Sequence, residues 1–413
     1  MHTLALIAGV LFCLFVILDA FQTIILPRRP TGRLRLTWIF YIVTWTPWAA
    51  ITRRIRNEKQ RDQIYSIYGP FSLLLLLGVW AVLLITGFAL IYLSLGSPFH
   101  DTILVHLAGH PINFVTDLYV SGTTLFTLGL GDVVPLAPLA RIIFICESGV
   151  GLGFVAMVVG YLPVLYGAFS KREVAVALLD ARAGSPPTAT ELLTRHGFEG
   201  GETDLIALLA EWERWSAELL ETHVSYPLLC YYRSQHDNQS WLSALVAITD
   251  ACALLIASQL PRPVRGVPPG RQAQLTFAIS RHALVDLCHV FQLDKRVKSL
   301  AQSSNSDSND RLPPEQFQRV CSLLQPTSVE MCSDASSAER LTKLRAMYES
   351  HAKALAEYLA LSLPLWAPKP QAKKDAWKQV SELRAIPEPL FGTAELHISE
   401  RSTAIHLHDQ EYR

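Results

Sequence analysis

The segment Thr127-Leu128-Gly129-Leu130-Gly131-Asp132 decides how the rest of this 413-residue chain is interpreted. Carbonyl groups of an extended backbone normally alternate in direction. Glycine at every second position removes this obstacle, because it reaches φ > 0 without steric cost. Gly129 and Gly131 therefore predict a row of carbonyl oxygens on one side of the chain, to which Thr127 can add its hydroxyl.

Four apolar stretches surround this segment. Residues 4–26 and 71–95 are long enough to span a bilayer, and 138–169 follows the glycine segment as a third such stretch. Residues 38–51 are shorter and contain three tryptophans and a proline. Half of the residues are hydrophobic, which indicates a membrane part joined to a polar part.

Within this order of apolar stretches, the string TLGLGD resembles the TVGYGD signature of the potassium-channel pore family, over about residues 71–169. The resemblance implies an outer helix, a pore helix at about 113–126, a filter and an inner helix. In such a filter, rings of backbone carbonyls replace the water shell of the permeant K⁺ ion. The implied filter residues are Thr127, Leu128, Gly129, Leu130, Gly131 and Asp132.

The resemblance also assigns residues around the filter. Asp132 takes the position of the acidic residue at the outer filter mouth, with Tyr119 as its aromatic partner and Thr123 as a further support. Gly151 takes the position of a gating hinge in the inner helix, and Pro163 would kink that helix near its cytoplasmic end. Alternative hinge positions are Gly149, Gly153 and Gly160.

Two residues depart from the family signature. Leu128 replaces valine, and Leu130 replaces a tyrosine whose hydroxyl ties the filter to surrounding aromatic residues. Leucine at the position of Leu130 is similar to the second filter of some two-pore-domain potassium channels. A weakly selective cation channel is therefore an alternative. A single filter motif requires four chains for a four-fold ring, so we expect a homotetramer, and no apolar stretch has the regular arginines of a voltage sensor.

The distribution of Lys and Arg predicts the topology. Basic residues occur at 28–35, at 53–61 and directly after the last apolar stretch, whereas 96–114 contains none. We therefore expect an inner-membrane, multi-pass protein with its C-terminal half in the cytoplasm and the filter facing outward. The stretch 38–51 is predicted to lie at the cytoplasmic interface, the alternative being a true span with a cytoplasmic N-terminus.

Two carboxylates lie inside apolar stretches. Glu147 would brace the filter from behind or bias ion entry, the alternative being a hydrogen bond to the pore helix or to water. Asp19, near the end of the first stretch, is expected to have a structural role beside Arg28, Arg29 or interfacial water. Three histidines before the pore helix suggest proton sensing, although exposed loop histidines commonly have no such role. They are His100, His106 and His110.

The predicted fold class is an all-α membrane protein with three regions. Residues 1–66 form an N-terminal membrane helix plus an interfacial or spanning helix, 67–173 the pore module, and 174–413 a helical cytoplasmic domain. This domain has a linker near 302–314, helices near 339–363 and 373–384, and a flexible C-terminal tail after residue 387. Within it, 241–259 is apolar but contains Asp250, which favours a buried core helix over a membrane span.

Several classes of function are excluded or left open. No catalytic triad, phosphate-binding loop or metal-ligand spacing occurs, so we predict no enzyme activity, no cofactor and no metal beyond K⁺ at the filter. Equal numbers of basic and acidic residues, 36 of each, argue against nucleic-acid binding. The seven scattered cysteines are expected to be free thiols. The helical domain suggests an unknown cytoplasmic ligand or partner, and a membrane-anchored sensor with a vestigial pore is a second alternative.

Overall fold

The computed structural model describes residues 2–26, 35–101, 113–197, 201–234, 239–258, 269–303, 310–325, 327 and 335–369. These residues are mostly helical, as predicted. The helices are α1 His2–Ala20, α2 Leu36–Thr52, α3 Glu58–Ser94, α4 Phe114–Leu125, α5 Pro138–Ala183, α6 Ala189–His196, α7 Gly201–Ser225, α8 Trp241–Ala257, α9 Pro269–Val290, α10 Asp294–Ser303, α11 Pro314–Leu324, α12 Ala335–Ala346 and α13 Glu349–Leu359. A π-helical turn, Phe21–Ile25, extends α1, and a 3₁₀ helix, Pro227–Tyr231, precedes α8.

Three of the described helices are long and apolar enough to cross a membrane: α1 with its π-helical turn, α3 and α5. Helices α1 and α3 pack antiparallel. A β-carbon built on Gly9 would lie 2.5 Å from the carbonyl oxygen of Gly87. Asp19, which comes later in α1, accepts a hydrogen bond from Trp80, which comes earlier in α3. Small residues at such a crossing let two membrane helices approach closely.

The antiparallel packing of α1 and α3 bears on the path of α2. If both neighbours cross the membrane in opposite directions, the chain leaves α1 and enters α3 on the same side. A single crossing by α2 between them would make them parallel instead. An interfacial α2 is compatible with this packing, and the location of 38–51 relative to the membrane stays a prediction.

Asp19 has partners in two neighbouring helices that were not predicted. Asp19 is buried and accepts hydrogen bonds from the Thr37 amide at 3.2 Å, from the Thr37 hydroxyl at 2.6 Å and from Trp80 Nε1 at 3.0 Å. The predicted partners Arg28 and Arg29 lie outside the described residues. Asp19 therefore joins α1, α2 and α3, and its predicted contact with the basic linker stays a prediction.

A two-stranded antiparallel sheet corrects the all-α prediction. Strands β1, Phe99–Asp101, and β2, Val133–Pro135, pair with His100 opposite Val134. Strands of three residues are too short to leave an alternating pattern in the sequence. The sheet joins the chain after α3 to the chain after the glycine segment.

Helices α3 and α5 extend beyond their apolar stretches. Helix α3 begins at Glu58, capped by the Asn57 side chain, and α5 continues to Ala183 without a break at residue 173. Both extensions contribute to the core of the C-terminal helices: Tyr65 and Tyr68 of α3 and Val176 and Leu179 of α5 are buried there. The region after residue 173 is thus packed directly onto the ends of two membrane helices.

The C-terminal helices are organised around α8, whose residues are almost all buried. Asp250 in its centre pairs with Arg311 at 2.6 Å and accepts a hydrogen bond from Tyr348. This burial agrees with the interpretation of 241–259 as a core helix. The helix expected at 339–363 is divided into α12 and α13, and the expected linker lies between α10 and α11. The helix expected at 373–384 and the tail lie outside the described residues.

Candidate functional site

Helix α4 positions the glycine segment. It begins after Asn113, whose side chain accepts hydrogen bonds from the amides of Val115 at 3.0 Å and Thr116 at 3.2 Å, the usual function of an N-cap. It ends at Leu125, within one residue of the expected boundaries. Because the C-terminal end of a helix carries partial negative charge, α4 directs this charge toward the start of the segment at Thr127.

The backbone φ angles of the segment alternate as predicted, and the alternation also includes Thr127. Gly129 and Gly131 have φ values of +55° and +76°, and Thr127 has φ of +56°. The Leu128 amide donates to the carbonyl of Thr123 at 2.8 Å, which holds the turn between α4 and the segment. The left-handed conformation of Thr127 was not predicted, since it costs a residue with a side chain roughly 1–2 kcal/mol.

One side of this segment is uncovered within a single chain. The side chains of Leu128 and Leu130 are 61% and 62% exposed, and a β-carbon built on Gly129 or Gly131 would meet no atom within 4 Å. Apolar side chains of this size are rarely left so exposed without a partner or a bilayer.

Tyr119 and Asp132 meet beside the segment. The Tyr119 hydroxyl donates a hydrogen bond of 2.6 Å to Asp132 Oδ2, although the two residues are separated by the whole segment. Thr123 instead donates its hydroxyl to the carbonyl of Val120 at 3.0 Å and contributes its own carbonyl to the turn. The structure therefore brings together the predicted aromatic–acidic pair, and Thr123 contacts the segment through its backbone.

Glu147 joins the three helices around the segment. It is buried in α5 and accepts hydrogen bonds from Tyr92 of α3 at 2.7 Å and from Ser121 of α4. The structure thus shows a hydrogen bond from α4 to the buried carboxylate, and a role of Glu147 in bracing the segment or in ion entry stays a prediction. The contacts of Tyr92 and Ser121 with Glu147 were not predicted from the sequence. Their only signal there was a polar group at the edge of an apolar helix pattern.

Gly151 and Pro163 lie in the continuous helix α5. A β-carbon built on Gly151 would lie 2.7 Å from the carbonyl carbon of Leu125 at the end of α4, so close packing explains a glycine at this position. Pro163 is exposed and has α-helical residues on both sides. The alternative positions Gly149, Gly153 and Gly160 have open space around a built β-carbon within one chain.

Arg172 joins α5 to the C-terminal helices. It is 3% exposed, and its guanidinium donates to the carbonyls of Leu229 and Tyr232, each at 2.9 Å. It also contacts His223 Nε2 at 3.1 Å and Glu173 at 2.9 Å. The buried guanidinium therefore holds α5 against the 3₁₀ helix and the residue that follows it. The sequence did not single out this residue.

The other candidate groups form no further site in the part of the chain that is described. His100 lies exposed on β1, while His106 and His110 are outside the described residues. No group of three or more metal-ligating side chains occurs among the described residues. The six described cysteines are free thiols, as predicted, and Cys332 lies outside the described residues.

Comparison with known proteins identifies the membrane part. Residues 78–165 match the Ion_trans_2 family model, whose description is "Ion channel". This segment includes the C-terminal part of α3, all of α4, the glycine segment and most of α5. The match to an ion channel domain agrees with the prediction that the chain is not an enzyme.

One curated relative is similar over a longer part of the chain. It is the "Uncharacterized membrane protein YdjJ" of Bacillus subtilis (strain 168), 28% identical over 203 residues. The alignment covers 49% of this chain and 57% of the relative, so the chain spans little more than half of the relative's length. No solved structure matches the chain. The chain is thus a membrane protein with an ion channel domain.

Proposed function

We propose that this chain, whose residues 78–165 match an ion channel domain, is the pore-forming subunit of a tetrameric potassium channel. The single observation that carries the proposal is the alternation of backbone conformation at Thr127, Gly129 and Gly131. Positive φ at every second residue turns successive carbonyls toward one side, where four such segments form rings of oxygens. These oxygens replace the hydration shell of a K⁺ ion.

The uncovered surfaces of the chain support a tetramer. Only 11% of the most apolar window of α5 is buried within one chain, compared with 44% for α3. Helix α5 also carries exposed apolar residues on several sides, including Ile142, Leu152 and Val159. Lipid would contact one side of such a helix. A four-fold arrangement gives the remaining sides a partner subunit and a pore.

The orientation in the membrane follows from the fold and the charges. With α3 and α5 as spans, the glycine segment and the C-terminal helices lie at opposite ends of the bundle. The basic residues after α1, before α3 and after the apolar part of α5 favour a cytoplasmic location for the C-terminal helices. The filter then faces outward, in an inner-membrane protein with its N-terminus outside.

Flux measurements on purified full-length protein in liposomes test the proposal. Potassium-loaded liposomes with the wild-type chain are expected to release K⁺, and Gly129→Ala is expected to abolish this flux, because a β-carbon disfavours φ of +55°. Gly78→Ala is the matched control, since Gly78 is a helical glycine with open space around it. Equal flux in wild type and Gly129→Ala would contradict conduction through this segment and would favour a sensor with a vestigial pore.

Leu130 gives a specific reason to test a weakly selective cation channel as the second candidate. Its side chain is exposed in the single chain and has no hydroxyl with which to fix the width of the filter. Reversal potentials with K⁺ on one side and Na⁺ on the other separate the candidates. A large shift toward the K⁺ equilibrium is expected for a selective filter, and near-equal permeability would establish the weakly selective alternative.

A further inference from the structure

A cavity of ≈ 180 Å³ lies between the membrane helices and the C-terminal helices. It is lined by Gln22 after α1, Tyr41 of α2, Leu73 of α3, Tyr161 of α5 and Tyr231 of the 3₁₀ helix. A single water occupies roughly 10–15 Å³ on this scale, so the cavity has room for a molecular group much larger than water. Further lining residues come from α7, α9 and α13, so segments from distant parts of the chain enclose one site.

The cavity lies at a boundary of the membrane. Leu73 is 21 residues from Ser94 at the outer end of α3, and Tyr161 is 23 residues from Pro138 at the outer end of α5. At about 1.5 Å per residue, both distances come to roughly 30–35 Å, which is about the thickness of the bilayer core. The cavity is therefore at headgroup level, in the inner leaflet according to the proposed topology.

The polar wall of the cavity carries a cation with spare hydrogen-bonding capacity. Arg35 Nη2 donates to the Thr23 hydroxyl at 3.0 Å, while its Nε is buried with no hydrogen-bond partner among the described residues. The nearby carboxylate of Asp19 already accepts three hydrogen bonds, from Thr37 and Trp80. A buried donor without a partner is costly, and an anion supplies the acceptor that Nε lacks.

Another part of the wall is apolar. Leu73, Leu76 and Ile42 line it, and Ile42 is 37% exposed in the single chain. A soluble phosphate would leave this wall without a partner. An amphiphile satisfies both walls, because its charged head meets Arg35 and an acyl chain extends past Ile42 into the lipid.

We propose that this cavity binds an anionic phospholipid, with the headgroup phosphate on Arg35 and the first part of one acyl chain against Leu73 and Leu76. The lipid contacts Tyr161 of α5 and Tyr231 of the C-terminal helices at the same time. It thereby becomes part of the junction between the membrane helix and the region after it. Basic pockets between membrane helices on the cytoplasmic side have the chemistry for such headgroups.

Lipid retention by the full-length protein tests the proposal independently of ion conduction. Wild-type protein is transferred from mixed phosphatidylglycerol and phosphatidylcholine vesicles into detergent, and the lipid that stays bound is measured by native mass spectrometry. Phosphatidylglycerol is expected to remain bound and phosphatidylcholine to be lost. Retention of both lipids equally, or of neither, would overturn the proposal. Displacement of the lipid by millimolar glycerol phosphate would also overturn it, in favour of a soluble anion.

Three variants locate the bound lipid. Arg35→Gln is expected to weaken retention by about tenfold or more, because a charge-assisted hydrogen bond is lost. Arg54→Gln is the matched control, since Arg54 is an exposed arginine after α2, and it should retain lipid like wild type. Ser225→Tyr places a larger side chain in the wall of the cavity and should reduce retention with Arg35 intact. Unchanged retention in both cavity variants, with the same elution volume as wild type, would contradict the site.

Discussion

Gly151 of α5 packs so closely on Leu125 of α4 that a β-carbon at position 151 would lie 2.7 Å from the carbonyl carbon of Leu125. Leu125 is the last residue of α4, only two residues before Thr127. The contact therefore fixes the distance between the inner helix and the start of the proposed filter.

Gly151→Ala is expected to displace the end of α4 and to impair conduction. The carbonyl of Leu125 belongs to the backbone and cannot rotate away, so the added methyl group forces the helices apart, at a cost of roughly 1–3 kcal/mol. Thermal unfolding and K⁺ flux of the purified protein measure the two effects. Gly78→Ala, which adds a methyl group in open space on α3, should be neutral. A Gly151→Ala protein as stable and conductive as wild type would show that the contact is not important.

Tyr119→Phe is expected to weaken discrimination between K⁺ and Na⁺ with little loss of overall stability. It removes the hydroxyl that donates to Asp132 at 2.6 Å and leaves the ring in place. Because both side chains are near the surface of the single chain, the hydrogen bond contributes only about 1 kcal/mol. Because this hydrogen bond lies beside the proposed filter, the ratio of K⁺ to Na⁺ permeability is the most sensitive measurement of its loss.

Asp132→Asn completes the test of this pair. An amide oxygen still accepts the hydrogen bond from Tyr119, so the ratio should change less than in Tyr119→Phe. If Tyr119→Phe and wild type have the same ratio, the pair does not hold the filter in shape.

Glu147→Ala is expected to destabilise the protein by roughly 1–3 kcal/mol, because the Tyr92 hydroxyl is left buried without a partner. Ser121 loses one acceptor but still donates to the carbonyl of Ile85 at 3.0 Å, while α3, α4 and α5 lose their common contact. Glu147→Gln keeps one acceptor oxygen and should lie between Glu147→Ala and wild type. The melting temperature and the tetramer fraction are the measurements. Equal loss in both variants would mean that packing, and not hydrogen bonding, is the main contribution of this side chain.

The local features of the proposed site were predictable because they depend on short-range rules. Glycines at alternate positions predict alternating φ. The helix at 113–126 was expected from the resemblance, and α4 agrees with it within one residue at each end. The hydrogen bond between Tyr119 and Asp132 was expected from the resemblance alone, since neither spacing nor composition links residues on opposite sides of a loop.

The remaining features depend on contacts between distant segments. Tyr92 reaches Glu147 across 55 residues, and Trp80 reaches Asp19 across 61, so the sequence gives no sign of either pair. The linker arginines were predicted as partners of Asp19 because they are close in sequence, whereas Thr37 and Trp80 lie further along the chain. The last turns of α5 also depend on distant contacts, because they pack on the C-terminal helices. The hydropathy pattern indicates only the part of α5 that is apolar enough to span a membrane.

The contact between Arg172 and His223 predicts a dependence of stability on pH. Burial, together with the adjacent Arg172 guanidinium, lowers the pKa of His223 well below its ordinary value of 6.5. Since Arg172 donates toward Nε2 at 3.1 Å, His223 is neutral in the folded protein. In the unfolded chain the same histidine binds a proton below about pH 6.5.

The sign of the effect follows from proton binding. Below pH 6.5 the unfolded state binds more protons than the folded state, so stability falls as the pH is lowered, by at most about 1.4 kcal/mol per pH unit for one group. Above pH 6.5 neither state binds this proton, and His223 contributes no slope. Unfolding of wild type and His223→Gln between pH 5 and 8 measures the difference. The variant should lose this part of the slope, whereas His282→Gln, which changes a half-exposed histidine on α9, should keep it. Parallel profiles for wild type and His223→Gln would mean that His223 has the same pKa in the folded and unfolded states, which would contradict the effect of burial and of Arg172.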